Sequence, residues 1–344
     1  MEEKKSTLGL RYWLCALGAS LVALAVYAFT LAGYVFPGYS THLFTQWMGM
    51  DALSQPSFPL WGAFAKMVGH SSLISSMALR MNIFSLVCGV LAAGFVCVLV
   101  AFFVRRTIRQ EDSAVCRESA ATVAGGVASL GFIFSPAVWQ ASTHLDHQIF
   151  DVCFALVLFL LFIPMAKGGK MLTLCSLALG VGVGFGLVES PIFIPLTPVY
   201  LLALFVTAVK AGRKPYLPAI LFFVMLAVGF LLYARFVAAA YLQLPEAAAS
   251  KADSSVAVIL QGVRAHLREV RAWLARPGWL YIIIFTVLPF VACMFAAPRG
   301  LNNERTWSQY LFHAAMTVCT LLALATPLNP ENLMRPMGVS PVAT

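Results

Sequence analysis

Long apolar runs separated by short polar segments dominate this chain. A helix needs about 20 apolar residues to cross a hydrocarbon core of about 30 Å. Runs of roughly this length, with almost no charged residues, occur at 11–35, 82–104, 118–140, 149–166, 171–188, 191–209, 216–242, 279–297 and 307–327. The pattern predicts an all-α polytopic membrane protein of about nine transmembrane helices. These helices are expected to form a single transmembrane domain over residues 1–344.

The composition supports this class. Hydrophobic residues make up 60% of the chain and charged residues only 11%, whereas soluble domains carry about 25% charged residues. The net charge is +9, but most of the Lys and Arg residues lie in short loops between apolar runs. They therefore indicate membrane topology and contact with anionic lipid, and not a nucleic-acid partner. None of the eight cysteines has the spacing of a metal-binding pair, so we expect neither a zinc nor a disulfide framework.

Basic residues mark every second short loop. The groups lie before the first run, between the second and third, between the fourth and fifth, between the sixth and seventh, and before the last: Lys4, Lys5 and Arg11; Arg105, Arg106, Arg109 and Arg117; Lys167 and Lys170; Lys210, Arg213 and Lys214; Arg299 and Arg305. Positive loops stay in the cytoplasm, so the N-terminus is predicted to be cytoplasmic. The first run is too long for a signal peptide and is interpreted as a retained helix. We expect an integral protein of a bacterial inner membrane.

The first loop on the opposite side, residues 37–80, is too polar to span a bilayer but is dense in aromatic and apolar residues. A solvated loop would not carry so many of them. We therefore predict an amphipathic extracytoplasmic loop that lies on the membrane surface and covers a cavity.

A second extracytoplasmic loop, residues 243–278, carries an apolar stripe with basic residues opposite. Two interpretations are open, an amphipathic helix in the membrane interface or a solvated spacer helix. The chain then ends in LMRPMGVSPVAT, which resembles the start of a further membrane segment, so a truncated C-terminus is expected.

Four acidic residues near helix ends are candidates for function: Asp51, Asp146, Asp151 and Glu189. An ionised carboxylate in lipid costs several kcal/mol, so acids near membrane segments suggest a functional role. All four are predicted on the extracytoplasmic side. The alternative is that acids collect in loops because apolar helices disfavour them. Asp51 in particular is predicted either to accept a proton as a general base or to cap the next helix.

The segment WQASTHLDHQIFD contains His144, Asp146 and His147. Imidazole and carboxylate groups bind divalent cations, but ligands crowded on one short turn seldom converge on an ion, so we predict no metal site. The open alternatives are a polar contact to a phosphate or a sugar, and a plain helix start with Asp146 as N-cap. Arg80 similarly is expected either to pair with Asp51 or a lipid-linked phosphate, or to extend to the headgroups.

Four glycines alternate before Glu189, at Gly180, Gly182, Gly184 and Gly186. The four-residue spacing from Gly180 to Gly184 predicts close packing of this helix against another. A dinucleotide-binding glycine motif would need a preceding strand, and the pattern predicts none here.

Three short motifs occur in order along the chain. They are Gln55-Pro56-Ser57-Phe58-Pro59-Leu60-Trp61, Leu79-Arg80-Met81-Asn82-Ile83-Phe84-Ser85 and Phe134-Ser135-Pro136-Ala137-Val138-Trp139-Gln140. With these motifs, residues 12–205 resemble the protein O-mannosyltransferase family related to transmembrane protein 260. That family belongs to the GT-C superfamily of membrane glycosyltransferases.

The resemblance implies a GT-C fold and the transfer of a sugar, mannose, from a polyprenyl-phosphate carrier to a protein or lipid acceptor on the extracytoplasmic side. It implies a lipid-linked donor substrate and no cofactor. Asp51 would be the catalytic base. The residues expected to bind the donor are Tyr39, His42, Arg80, His144, Asp146, His147 and Glu189.

One position departs from the family pattern. Relatives commonly carry Gly-Asp-Ser after the first helix, and here the matching residues are Gly38, Tyr39 and Ser40. Tyrosine, with a reference pKa of about 10, is a poor base at neutral pH. Either Asp51 replaces the missing acid, or the chain is a non-catalytic scaffold. A transporter or flippase is the competing class, but the two repeated halves typical of transporters are not evident.

Overall fold

The computed structural model describes residues 10–35, 39–47, 58–71, 76–107, 114–190, 192–211 and 216–242, with Ser254, Val256, Ala257, Leu260 and Arg264. Within these residues the chain is helical and contains no strand. The helices are α1 (Leu10–Phe29), α2 (Tyr39–Trp47), α3 (Pro59–Gly69), α4 (Met77–Thr107), α5 (Ala114–Ile133), α6 (Pro136–Thr143), α7 (Gln148–Leu160), α8 (Phe162–Met165), α9 (Gly169–Glu189), α10 (Phe193–Lys210) and α11 (Tyr216–Leu242).

Several of these helices are long and apolar enough to cross a membrane. In the described part of the chain there are 5 such spans, or 6 if α5 and α6 form one bent span. The 5 are Leu10–Phe29, Met77–Arg105, Gln148–Met165, Gly169–Glu189 and Leu217–Ala239. The predicted all-α class with several membrane-spanning helices is therefore confirmed. The runs 279–297 and 307–327 lie outside the described residues, so the total of nine remains a prediction.

The chain divides into two compact units, Met1–Ile163 and Pro164–Thr344. In the first unit, hydroxyl groups join α1, α4 and α5. Ser20 Oγ donates to the Val90 carbonyl at 3.2 Å, and Ser129 Oγ donates to the Ala93 carbonyl at 2.8 Å. Lipid gives little hydrophobic driving force between helices, so such bonds and close packing of small residues supply much of the association.

The predicted continuous helix 118–140 is wrong, because it is broken at Phe134 and Ser135 into α5 and α6, which meet at an angle of 65°. Pro136 is the physical reason. It has no N–H, and its ring cannot follow the preceding helical turn. The Ile133 carbonyl at the break instead accepts a hydrogen bond of 3.1 Å from the Tyr27 hydroxyl.

The described parts of the predicted amphipathic loop fold into α2 and α3. Their apolar faces join one buried cluster with α4 and the segment after α6, formed by Leu43, Phe58, Trp61, Ala65, Met81 and Leu145. Gly62 lies so close beneath the Trp47 ring that a Cβ at this position would overlap it. The described parts of the loop thus pack onto the end of the helical bundle.

In the second unit, α9 packs along α11 through glycines on both helices. A Cβ on Gly180 would lie 2.5 Å from the Phe222 carbonyl oxygen, and one on Gly229 would lie 2.6 Å from that of Val181. A Cβ on Gly184 would overlap the Leu226 carbonyl oxygen. The close packing predicted for Gly180 and Gly184 is confirmed.

Candidate functional site

The candidate site of the first unit lies where α1 ends, α4 begins and α6 turns into α7. α1 ends at Phe29 and not at residue 35 as predicted, because the segment after it bonds to other elements. Asn82 Nδ2 donates to the carbonyls of Ala32 and Tyr34 at 2.7 and 3.0 Å. The Ala32 N–H donates to the Thr143 carbonyl at 3.1 Å. Hydrogen bonds therefore hold the segment after α1 to α4 and α6 at this end of the bundle.

Two serines hold the turn that follows α6. Ser85 Oγ of α4 donates to the Asp146 carbonyl and accepts from the Asp146 N–H, both at 3.3 Å. Ser40 Oγ of α2 donates to the Leu145 carbonyl at 2.8 Å. A serine of the first loop and a serine of a membrane helix thus position two adjacent residues, Leu145 and Asp146.

His147 lies between two carboxylates. Its Nδ1 is 3.5 Å from Asp146 Oδ1, and its Nε2 is 3.8 Å from Asp151 Oδ2. The imidazole stacks on the Phe58 ring with centroids 3.5 Å apart and planes 15° apart. The His147 and Asp151 side chains are buried, while that of Asp146 is 22% exposed. Asp146 is the member of this carboxylate–histidine group that solvent or a ligand can reach.

Asp146 also begins α7. Its Oδ1 accepts the Gln148 N–H at 2.9 Å, which is a bond of the capping kind. The N-cap residue itself is His147, so the predicted N-cap at Asp146 is displaced by one residue. The turn is therefore a helix start, as one of the two predictions had it. Asp146 Oδ1 both accepts the Gln148 N–H and lies near the His147 imidazole.

Burial shifts the two titrating groups of the turn in opposite directions. Burial raises the pKa of Asp146 from 3.8 to about 6, against the hydrogen bond from Gln148, and lowers the pKa of His147 from 6.5 to about 3. Both shifts favour the neutral forms, because a buried charge is costly. A carboxyl group with a pKa near neutrality can exchange protons at physiological pH.

These shifts predict a pH dependence of stability. The raised pKa of Asp146 removes stability as the pH rises from about 4 to 6, and the lowered pKa of His147 removes stability as the pH falls from 6.5 to about 3. The two effects offset each other between pH 4 and 6. Asp146→Asn keeps the side-chain oxygen that caps α7 but removes the titration of Asp146, so only the effect of His147 remains. Its stability relative to the native protein is expected to rise by about 1.4 kcal/mol per pH unit over this window.

The measurement is the midpoint of thermal unfolding in detergent at pH 4, 5 and 6 for both proteins. His147→Gln serves as the opposite control, because it leaves the Asp146 effect alone and its relative stability should fall with pH. Parallel profiles for all three proteins would contradict the assignment of the two shifts.

A cleft of about 740 Å³ opens beside this turn. It is lined by the segment 30–34, by Phe134, Trp139 and Gln140 of the broken span, and by His144 just after it. Trp139 Nε1 donates to Thr30 Oγ1 at 2.8 Å, which fixes the indole in the wall. His144 Nδ1 donates to the Gln140 carbonyl at 2.9 Å, so in the neutral ring Nε2 is the acceptor. Aromatic side chains beside hydrogen-bonding groups are suited to binding a ring that carries hydroxyl groups, because such a ring has both apolar faces and polar edges.

The remaining predicted residues fall in different places. Arg80 lies in the first turn of α4 and is partly buried. Glu189 ends α9 in the second unit, where it is 3% exposed and accepts a hydrogen bond of 2.9 Å from the Tyr233 hydroxyl. Tyr39 and His42 belong to α2, with side chains outside the described part. Asp51 lies outside the described residues.

Two residues that contact His147 were absent from the predicted donor-binding set: Asp151, which was predicted only as a candidate acid, and Phe58. The spacing of His147 and Asp151 was a usable signal, because residues four apart share one face of a helix. Phe58 left no such signal, since it reaches His147 only through the folding of the first loop. In the described part of the chain no group of three or more His, Cys, Asp or Glu residues is arranged to hold a metal ion.

Comparison with known proteins identifies one family. Residues 54–211 match the family described as "Protein O-mannosyl-transferase TMEM260 N-terminal domain". The three sequence motifs lie inside this segment, so the predicted resemblance is confirmed. Arg80, His144, Asp146, His147 and Glu189 also lie inside it, whereas Tyr39, His42 and Asp51 precede it. No curated protein and no solved structure gave a significant match.

Proposed function

Since residues 54–211 match the N-terminal domain of TMEM260-type protein O-mannosyltransferases, we propose that this membrane protein is a GT-C-type glycosyltransferase. It transfers a sugar, mannose, from a polyprenyl-phosphate carrier to a hydroxyl group of a protein on the extracytoplasmic side. The acceptor oxygen attacks C1 of the sugar, the bond from C1 to the phosphate oxygen breaks, and the lipid phosphate leaves with the electron pair. A base takes the proton of the acceptor hydroxyl.

The contact between Ser40 and the Leu145 carbonyl carries this proposal. Ser40 is the last residue of the tripeptide that corresponds to the Gly-Asp-Ser of relatives, with Tyr39 in the acid position. The bond therefore sets that position beside the turn of Asp146 and His147. This contact supports a site formed by α2 and the 144–147 turn, because active sites combine groups from separate elements.

Asp51 is the proposed base. It lies in the loop whose described helices α2 and α3 pack against this end of the bundle. A carboxylate there can accept the proton of the acceptor hydroxyl as the sugar bond forms. His147 and Asp151 are positioning residues in this scheme, because they hold Asp146 and the 144–147 turn and do not face the cleft.

Arg80 is proposed to stabilise the leaving phosphate. The positive end of the α4 dipole lies at its first turn, where a cation is unfavourable by itself. The buried Arg80 Nε has no hydrogen-bond partner among the described residues. A phosphate oxygen would accept a hydrogen bond from Arg80 Nε, and its negative charge would balance the guanidinium and the positive end of the helix dipole. Negative charge builds up on the leaving phosphate in the transition state, where Arg80 would stabilise it.

The sugar is proposed to occupy the cleft, with His144 and Gln140 as hydrogen-bonding groups and the Trp139 indole as an apolar wall. Tyr39, His42 and Asp146 are proposed to complete the donor site at its edge, and His147 is proposed to act on the donor only through the position of Asp146. Glu189 accepts a hydrogen bond from Tyr233 within the second unit, and its role in donor binding stays a prediction from the sequence.

The test uses the purified full-length protein in liposomes with radiolabelled mannosyl-phosphoryl polyprenol and a peptide rich in Ser and Thr. We expect label to become covalently attached to the peptide. Counterflow of labelled donor without any covalent product would instead establish the transporter or flippase alternative. An inactive protein that still binds the donor would establish the scaffold alternative, which the tyrosine in place of the family acid favours.

A further inference from the structure

A second polar cluster lies at the opposite end of the first unit, where α1 begins, α4 ends and α5 begins. Tyr12 of α1 is its centre and is only 1% exposed. Its ring packs against Ala101 of α4 and Ala121 of α5, both fully or almost fully buried. These small residues leave room for the aromatic ring between the two helices.

The direction of the Tyr12 hydroxyl follows from helix geometry. Side chains tilt toward the N-terminus of their own helix, and the N-terminus of α1 lies beside the last turn of α4 and the first turn of α5. The Arg105 guanidinium carbon is 5.8 Å from the Tyr12 ring centroid. The charges that act on the hydroxyl belong to Arg105, Glu118, Arg117 and Arg11. We call these five residues the Tyr12 cluster.

The charges of the Tyr12 cluster do not balance. It contains three guanidinium groups and one carboxylate, and Glu118 Oε1 is already 3.7 Å from Arg105 Nη2. Glu118 is the one carboxylate of the cluster and is shared with Arg105, so the cluster's described residues leave the charges of Arg11 and Arg117 without a counter-charge. A helix end with this excess attracts anions.

Two hydrogen-bond donors of the cluster also lack acceptors. The Tyr12 hydroxyl and Arg117 Nε are buried, and neither has a hydrogen-bond partner in the part of the chain that the structure describes. Buried polar groups are nearly always satisfied, because an unmade bond costs free energy. Both orphan groups can donate, and the local charge is positive. The missing group is therefore an anion with several acceptor oxygens.

We propose that the Tyr12 cluster binds a phosphate group, either that of an anionic phospholipid or free phosphate. Arginine is suited to phosphate because its planar fork donates two bonds at once. The end of a membrane-spanning helix lies at headgroup depth, where a lipid phosphate is available. This site is separate from the glycosyltransferase site and does not depend on the proposed function.

The experiment measures the thermal unfolding midpoint of the delipidated full-length protein in neutral detergent. Phosphatidylglycerol, phosphatidylcholine or inorganic phosphate is titrated into separate samples. Tyr12→Phe keeps the ring and removes only the hydroxyl, and Arg117→Gln removes one charge. Lys170→Gln is the matched control, since it removes a cation from an exposed site at the start of α9.

We expect phosphatidylglycerol to raise the midpoint more than phosphatidylcholine does. Both cluster variants should weaken the apparent affinity about tenfold, and Lys170→Gln should leave it unchanged. If inorganic phosphate alone gives the same dependence on Tyr12 and Arg117, the anion comes from solution; if it gives none, the site needs a lipid. Unchanged lipid selectivity in both cluster variants, or an equal loss in Lys170→Gln, overturns the proposal.

Discussion

Asp51→Asn is expected to reduce sugar transfer by about 10²–10⁴-fold while leaving donor binding intact, which is the usual contribution of a general base. Asparagine has nearly the same shape as aspartate but cannot accept the proton of the acceptor hydroxyl. The effect should therefore fall on kcat and not on KM for the lipid-linked donor. The measurement is transfer of label to the Ser and Thr peptide by the reconstituted protein.

Two further variants make this result specific. Asp112→Asn is the same change in the loop after α4, which the charge pattern predicts on the cytoplasmic side, and it should retain native activity. Asp146→Asn tests a second candidate carboxylate, which is 22% exposed and has a raised pKa. Full activity of Asp51→Asn together with loss in Asp146→Asn would transfer the role of base to Asp146.

The family position offers a rescue experiment. The sequence resemblance predicts that Tyr39 stands where relatives carry an acid, and the adjacent Ser40 donates a hydrogen bond to the Leu145 carbonyl. If position 39 still faces the donor, Tyr39→Asp in the Asp51→Asn background should restore part of the lost transfer. Failure of this rescue in a protein that still binds donor would show that the acid position of relatives is no longer part of this site.

Much of the helical architecture could be predicted from the sequence, because a lipid environment allows few alternatives to an apolar helix. The run 216–242 matches α11 in full, and 171–188 matches α9 closely. The break before Pro136 was missed, since hydropathy averages over a proline and the 118–140 run stays apolar through it. Proline in a membrane helix is a local steric event that hydropathy does not register.

The site was predictable only in part, for a different reason. Asp146 and His147 are neighbours in sequence, so their shared turn was evident. Their contacts to Phe58 and Ser85, and the bond from Ser40 to the neighbouring Leu145, join elements far apart along the chain. No periodicity in the sequence encodes such pairings. A single sequence predicts the charged residues of a site more readily than the apolar and hydroxyl side chains that position them.

Gly184→Leu is expected to be the most damaging substitution in the second unit. A Cβ at this position would overlap the Leu226 carbonyl oxygen and lie 2.6 Å from the Phe230 nitrogen, which are main-chain atoms of α11. A rotamer change cannot relieve contact with a main chain, so α9 and α11 must separate. Overpacking costs about 1–3 kcal/mol even for small additions, and Gly184→Ala should show this smaller loss.

The control is Gly131→Leu, because Gly131 is also a helical glycine but has nothing within 4 Å of its Cβ position. Thermal unfolding midpoints and the yield of monodisperse protein should fall for Gly184→Leu and stay near native for Gly131→Leu. Adding Phe230→Ala should not restore Gly184→Leu, since the obstructing atoms are not in side chains. Recovery in that double variant, or equal midpoints for the two leucine variants, would show that α9 and α11 do not depend on direct backbone approach. Tyr233 of α11 reaches Glu189 of α9 only because the two helices approach closely at Gly184. A variant in which these helices separate should therefore also lose the hydrogen bond between Tyr233 and Glu189.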